Sequence, residues 1–210
     1  ERIIYHGVPW LVKNINVFSE LENPSLEVKL RLPIEELLGK ISRPFNKKEP
    51  WFPCKRNDWV LLADGTRGVV TSLSHEMVEL VQRGGSQKIY QTSDFLGQTP
   101  LNISFNFRLK ITFGISYNLQ KESTGSVLEI LESHISEQIE KEGYKKSLLN
   151  LRVEFQEAGA SSLDIVVIAD FKGDLAPLYR RLYRAIQRWC VDACTLNNWE
   201  IPFPQLTIHK

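Results

Sequence analysis

The stretch Gly159-Ala160-Ser161-Ser162-Leu163-Asp164-Ile165-Val166-Val167-Ile168-Ala169 decides the fold of the second half of the chain. Apolar residues alternate from Leu163 to Ala169, which is the period-two pattern of a strand with one buried face. The preceding Gly-Ala-Ser-Ser is typical of a turn. Because residues 149–155 alternate in the same way, the turn is predicted to join two strands.

Further elements flank this pair of strands. Alternation over 107–115 predicts another strand, and apolar residues at helical spacing predict helices over 123–142 and 174–196. Gly143 is a natural end for the first helix, and Gly173-Asp174-Leu175 opens the second. Leu206 and Ile208 supply a last strand. The order β-α-β-β-α-β predicts a ferredoxin-like α+β sandwich over 106–210, with two helices on one face of an antiparallel sheet.

Residues 55–105 have the pattern of short strands and tight turns that is typical of a small β barrel. Short apolar runs meet at Asp64-Gly65 and at Gly84-Gly85, which favour hairpin turns because these residues tolerate positive φ. Several short strands joined by tight turns are typical of SH3-like barrels.

Residues 1–54 are predicted to form an irregular arm and linker. Prolines and asparagines interrupt the apolar runs of residues 1–24. Period-two alternation over 26–32 predicts a short strand, and Pro33 fits the first turn of a helix over 33–42. The polar, proline-containing residues 46–57 complete the linker.

Composition sets limits on function. The chain has 210 residues, enough for one large or two small domains, with 42% hydrophobic and 24% charged residues. A net charge of +1 gives no overall field for nucleic acid. The chain begins at Glu1 and its one methionine is Met77, so we expect a fragment or a processed form. No run approaches the ~18–20 apolar residues of a membrane helix, so we expect the fragment to be soluble.

Several motifs resemble the small-conductance mechanosensitive channel (MscS-like) family over residues 43–210. The Gly-Ala-Ser-Ser turn and the Gly-Asp-Leu cap belong to them. Tyr90–Leu96 lacks the Pro-Asn that family members carry there. The other matching segments are Arg43-Pro44-Phe45, Lys55-Arg56-Asn57-Asp58-Trp59-Val60, Gly68-Val69-Val70, Asn102-Ile103-Ser104 and Ile201-Pro202-Phe203-Pro204-Gln205.

The resemblance implies a homo-oligomeric channel, usually a heptamer, that releases ions and small osmolytes when membrane tension rises. An Sm-like barrel follows the pore helix, and ferredoxin-like domains close a cytoplasmic cage. We therefore expect a vestibule domain on the cytoplasmic side of the inner membrane, with no enzymatic activity, no cofactor and no nucleic-acid partner. Residues 30–40 carry charges and a proline that oppose membrane insertion, so any pore is expected upstream.

Two groups of residues are candidates for contacts between subunits. Pro202 and Pro204 fix φ and remove backbone donors, which predicts a rigid edge strand or strand entry directed at an interface. In the barrel, a small residue lets neighbouring strands approach closely. The predicted interface residues are Gly68, Val69, Pro202, Phe203, Pro204 and Gln205.

Two basic groups each have two interpretations. Arg180, Arg184 and Arg188 form a stripe along a helix, which is a solvated face or has a function, either as an electrostatic lining that biases which ions approach or as a contact between subunits. Lys40, Arg43, Lys47 and Lys48 form a basic segment. It is either a solvated linker or a contact with an anionic leaflet, which gains about 1 kcal/mol per basic residue.

No motif for catalysis or metal binding competes with this assignment. Cys190 and Cys194 lie one helical turn apart without further ligands near them, so no metal site is predicted. Three cysteines, an odd number, favour a reducing compartment over a disulfide framework. Two alternatives stay open: an RNA-binding protein that uses both β-rich units, and an enzyme on the ferredoxin-like scaffold.

Overall fold

A computed structural model describes residues 2–5, 8–15, 18–24, 28–33, 41–43, 52–74 and 76–202. The chain divides into two compact units, Glu1–Ser104 and Phe105–Lys210. Helices accompany three antiparallel sheets, which confirms the predicted α+β class.

The first sheet of the first unit has five strands, in the order β4-β3-β2-β1-β5. All neighbouring strands are antiparallel. The strands are β1 (Arg2–Tyr5), β2 (Val8–Ile15), β3 (Phe18–Asn23), β4 (Val28–Pro33) and β5 (Ile41–Arg43).

The prediction of an irregular N-terminal arm is wrong. Pro9 lies inside β2, but β3 pairs with β2 only from Leu11 onward, so the missing N–H of Pro9 breaks no ladder to β3. A shift of register between Val12 and Asn14 absorbs the irregular spacing of the polar residues. Proline and asparagine therefore mark distortions within strands here, and they do not end them.

The helix predicted over 33–42 is wrong at both ends. The strand predicted over 26–32 is confirmed from Val28 onward as β4, and residues 26 and 27 lie outside the described residues. Pro33 is the last residue of β4, where it pairs with Phe18, and Ile41 begins β5. The alternation of β4 thus continues through the proline, which is tolerated at a strand end. Residues 34–40 lie outside the described residues.

The second sheet of the first unit also has five strands, in the order β10-β6-β7-β8-β9. Both predicted hairpins are confirmed: Gly65 has φ +79° between β6 and β7, and Gly84 has φ +105° between β8 and β9. The elements are β6 (Trp59–Leu61), β7 (Arg67–Leu73), β8 (Met77–Val81), β9 (Gln87–Gln91), α1 (Thr92–Gly97) and β10 (Leu101–Asn102).

One hydrophobic core joins the two sheets of the first unit. Ile3 and Trp10 from the first sheet are fully buried in it together with Val70 and Leu80 from the second sheet and Phe95 from α1. The N-terminal strands therefore form one side of this core. The prediction of an irregular N-terminal arm did not include this contribution.

The second unit has two helices and a sheet of three strands, in the order β11-β13-β12. Helix α2 packs on β12 and on α3, and α3 packs on β11. The elements are β11 (Asn106–Ile115), α2 (Ser126–Lys141), β12 (Leu148–Ala158), β13 (Leu163–Lys172) and α3 (Tyr179–Leu196).

The first helix of the second unit ends where predicted, and the second begins later than predicted. Gly143 has φ +81° just after α2, as expected of a residue that ends a helix. The second helix begins later than predicted, because a 3₁₀ segment, Gly173–Leu178, precedes α3 and contains Pro177. Asp174 does not cap α3; its carboxylate accepts a hydrogen bond from Ser147 at 2.6 Å. The predicted last strand at Leu206 and Ile208 lies outside the described residues.

Candidate functional site

The outer face of the second unit's sheet holds a network of charged side chains. Arg108 on β11 donates from Nε and Nη2 to the two carboxylate oxygens of Asp170 on β13, at 2.7 and 2.9 Å. Asn150 on β12 donates to the same carboxylate at 3.3 Å. The Arg108 guanidinium holds the pKa of Asp170 below its usual value, although partial burial acts in the opposite direction.

The rest of this outer face is mostly polar, with Val166 and Ile168 of β13 as its apolar residues. Thr112 donates to Gln156 at 3.0 Å across β13, and these side chains flank Val166, which is only 5% exposed. The outward residues of β11 and β13 include no aromatic side chain that could stack on a base. They are Asn106, Arg108, Lys110, Thr112, Gly114, Asp164, Val166, Ile168, Asp170 and Lys172. This face therefore does not favour the RNA-binding alternative.

The three arginines of the predicted stripe are exposed on α3. Arg188 donates from Nη2 to Glu142 Oε1, just after α2, at 2.7 Å. The charge of Arg188 is thus balanced within the unit. Helix packing explains the exposure, because Leu182, Ile186 and Trp189 form the buried face of the same helix.

Two of the predicted interface residues, Gly68 and Val69, lie on β7. A Cβ atom on Gly68 would lie 2.9 Å from the backbone oxygen of Val81, so the approach of β7 to β8 requires glycine at this position. Val69 is half-buried and pairs with Trp59 on one side and Val81 on the other. The close approach is a property of the single subunit, and the role of these residues in assembly stays a prediction.

The other predicted residues are described only in part. Pro202 is half-buried, whereas Phe203, Pro204 and Gln205 lie outside the described residues. For Arg43 the structure describes only the backbone, in β5. Lys40, Lys47 and Lys48 also lie outside the described residues.

An open cleft of about 560 Å³ lies in the first unit. Tyr5 and Leu30 line it from the first sheet, and Met77 and Gln91 line it from the second. Among the described residues of its lining, Glu76 is the one carboxylate, and there is no histidine or cysteine. This set does not provide the paired acid and base of a typical hydrolytic site, so the cleft does not favour the enzyme alternative.

The three cysteines are buried, and their thiols have low reactivity. Burial raises the pKa of Cys54 and of Cys190 to about 12, with a smaller contribution from Asp58 and from Cys194 respectively, and raises the pKa of Cys194 to about 11. All three thiols are therefore protonated at neutral pH and are poor nucleophiles and metal ligands. Among the described residues, no three histidine, cysteine or acidic side chains converge in a way that could hold a metal ion.

None of the helices that the structure describes has the length and apolarity needed to span a bilayer.

Comparison with solved structures identifies similar folds. The closed state of Helicobacter pylori MscS matches with a TM-score of 0.54 at 20% identity, over 75% of this chain and 59% of that one. Two structures of Arabidopsis thaliana MSL1 match with TM-scores of 0.44, at 13% and 14% identity, over 73% of this chain and 54% and 52% of theirs. No protein-family model and no curated protein sequence matches the chain. The chain thus spans less than two thirds of the channel structures, and it has the fold of the matching part of H. pylori MscS, as its motifs predicted.

Proposed function

We propose that this chain is the vestibule domain of a mechanosensitive channel of the MscS type. The observation that carries the proposal is the structural match to H. pylori MscS over 75% of the chain. The motifs at Gly68-Val69-Val70 and Gly159-Ala160-Ser161-Ser162 also support it. The vestibule performs no bond-making or bond-breaking step.

In this proposal the second sheet of the first unit is the Sm-like barrel, and the second unit is the ferredoxin-like sandwich. Support for the sandwich comes from the strand order β11-β13-β12, in which β11 is at an edge. Ser116, just after β11, donates its N–H to the backbone oxygen of Glu200 at 3.2 Å. The chain that follows α3 therefore returns to the end of β11, where a fourth strand of the sandwich would pair.

The proposed mechanism is passive filtration by an oligomer. Identical copies, seven by resemblance, surround the exit of a pore, and contacts through Gly68, Val69 and the segment 202–205 join them. The cage sits on the cytoplasmic side of the inner membrane. Ions and small osmolytes pass through it when tension opens the pore, and the cage sorts them by size and charge.

The arginine stripe supplies the charge selectivity in this proposal. Arg184 is the most informative position because it is exposed, whereas Arg188 is bound to Glu142. Reversal of its charge, Arg184→Glu, is expected to lower the preference for anions through the local potential. The reversal potential of the channel in a salt gradient measures this preference, and an unchanged value contradicts the lining role.

The basic segment Lys40, Arg43, Lys47 and Lys48 is proposed to contact the anionic leaflet. Co-sedimentation with phosphatidylserine vesicles is expected to exceed that with neutral vesicles, and to disappear at high salt. Equal sedimentation with both kinds of vesicle contradicts the contact and leaves the segment as a solvated linker.

The test of the whole proposal is a chimera. This chain replaces the matching region of H. pylori MscS, and patch-clamp recording under suction measures tension-activated current. We expect an assembled oligomer that conducts. A chimera that reaches the membrane and assembles, but passes no current at any tension, contradicts the proposal.

A further inference from the structure

The second unit carries an acidic groove between α2 and β12, of about 480 Å³. Its carboxylates share one face of α2, because residues three and four apart on a helix are neighbours. The acidic residues of the groove are Glu129, Glu132, Glu137 and Glu140. Leu128 and Val153 form its apolar part.

The carboxylates of the groove have almost no partners within the subunit. Glu132 accepts a hydrogen bond from the backbone N–H of Val153 at 3.1 Å, which satisfies a free donor of the edge strand β12. None of the four forms an ion pair with a described residue. Lys145 lies beside the groove and donates to Ser136 of its lining at 3.1 Å, which adds one positive charge. Glu129, Glu137 and Glu140 are exposed, so the groove still presents net negative charge to solvent.

The other helix presents the opposite charge. Arg180, Arg181, Arg184 and Arg188 are all exposed on α3. From Arg180 to Arg188 the stripe spans about 12 Å, and from Glu129 to Glu140 the groove spans about 17 Å, at 1.5 Å per residue. The basic stripe is thus short enough to lie along the acidic groove.

One contact already shows that these helices pair through such groups. Arg188 reaches Glu142, just beyond the end of α2, at 2.7 Å. Within one subunit this ion pair joins the two helical regions, and the groove lies closer to the N-terminus of α2. A second copy of the chain can supply the arginines that the groove lacks.

We propose that the acidic groove of α2 and β12 binds the basic face of α3 from a second copy of this chain. The inference rests on the proposed homo-oligomer and assigns it a specific contact in the second unit. It gives Arg181 and Arg184 a contact role in place of the lining role of the stripe, so the charge-reversal experiment also decides between the two. Opposite charges on two surfaces of one chain favour association of unlike faces and oppose association of like faces.

Charge reversal tests the contact in the 210-residue chain. The acid-reversed variant carries Glu129→Lys, Glu137→Lys and Glu140→Lys, and the base-reversed variant carries Arg181→Glu and Arg184→Glu. Glu132, Arg180 and Arg188 stay unchanged because each has an interaction within its own subunit. Lys110→Glu and Glu122→Lys are matched controls, since both residues are exposed and lie outside the groove and the stripe.

Sedimentation velocity at several concentrations measures the association, and circular dichroism checks that each variant is folded. Each reversed variant is expected to self-associate at least about ten-fold more weakly than the wild type, and an equimolar mixture of the two to regain mixed oligomers. The controls should match the wild type. Association of the wild type should also weaken between 0.05 and about 1 M NaCl, where the screening length falls to about 3 Å.

The outcomes separate this contact from the proposed function. If the wild type associates and both reversed variants associate equally well, the contact is wrong while the oligomer stands. If neither the wild type nor the mixture associates, both the contact and the oligomer of this chain are overturned. If the groove instead binds Mg²⁺ in isothermal titration while the chain stays monomeric, its occupant is a cation and the contact is overturned.

Discussion

The two units bury their apolar side chains in different ways. In the first unit, two five-stranded sheets share one core, so each sheet depends on side chains that lie far away in the sequence. In the second unit, strands of 10 and 11 residues lie beneath two helices, and the other face of the sheet is polar. The first unit therefore depends on close contact between sheets and strands, and the second depends on the apolar faces of its helices.

The largest expected effect comes from removing the central tryptophan of each core. Trp10 and Trp189 are 0% and 1% exposed, so Trp10→Ala and Trp189→Ala should each cost about 3–5 kcal/mol of unfolding free energy. Because its core is shared, Trp10→Ala should speed hydrogen exchange in β6–β8 as well as in β1–β3. Trp189→Ala should do so in α2, α3 and β13.

Peptide-resolved hydrogen exchange measures these effects separately. Leu196→Ala is the control for α3, since Leu196 is 70% exposed and its removal should change stability by less than about 0.5 kcal/mol. If Trp10→Ala leaves exchange in β6–β8 unchanged, the two sheets do not share a cooperative core.

The next effect tests the close approach of strands in the first unit. In Gly68→Ala the new methyl group would meet the Val81 carbonyl oxygen at 2.9 Å, and a backbone atom cannot move aside without disturbing β8. We expect a loss of about 2–3 kcal/mol, measured by urea unfolding. Gly97→Ala is the matched control, because nothing lies within 4 Å of its Cβ position. Equal stability of the two variants contradicts the required approach.

A tight contact in the second unit should be relieved by a second substitution. In Gly114→Ala the methyl group would meet Cβ of Ser162 at 2.9 Å, which belongs to a side chain. We expect a loss of about 1 kcal/mol. Ser162→Gly removes the obstructing atoms, so the double variant should lose less than the sum of the two single losses.

A double-mutant cycle in urea measures this coupling. Ser162→Gly alone also removes the hydrogen bond from Ser162 to Asp164, at 2.7 Å, which the cycle subtracts. Strict additivity would show that the second unit absorbs the methyl group elsewhere. The contrast with Gly68, where no side-chain substitution can help, would then disappear.

Regular alternation made the second unit the more predictable of the two. The strands around the Ser161-Ser162 turn, both helices and both hairpins of the first unit follow from local periods and turn residues. The first sheet does not, because Pro9 and Asn14 are usually read as interruptions, and only the partner strands show that they are tolerated. Contacts between residues far apart in the sequence decide whether a segment of alternating residues packs in a core. No local sequence pattern shows these contacts.

Of the charged groups on the surface of the second unit, the arginine stripe could be predicted from the sequence, and two ion pairs could not. The stripe from Arg180 to Arg188 follows directly from helical spacing, and its exposure follows from the apolar residues opposite. The Arg108–Asp170 pair was missed, since the register of two strands separated by 62 residues is not visible in the sequence. The pairing of Arg188 with Glu142 was missed for the same reason, because it depends on how two helices cross.

The smallest effect concerns the polar face of the second unit's sheet and shows whether it contributes to stability. The hydrogen bonds from Arg108 keep the pKa of Asp170 low in the folded protein, so the unfolded state binds the proton more tightly. The stabilisation is therefore complete above the unfolded pKa of about 3.9 and is lost as the pH falls through the lower folded value. Asp170→Asn should be slightly less stable than the wild type at pH 7, and the difference should shrink as the pH falls below the unfolded pKa. Thr112→Val, on the same face, is the control and should show no such pH dependence. Thermal unfolding from pH 2 to pH 7 measures both, and a constant difference for Asp170→Asn would mean that packing, and not the ion pair, is what the aspartate supplies.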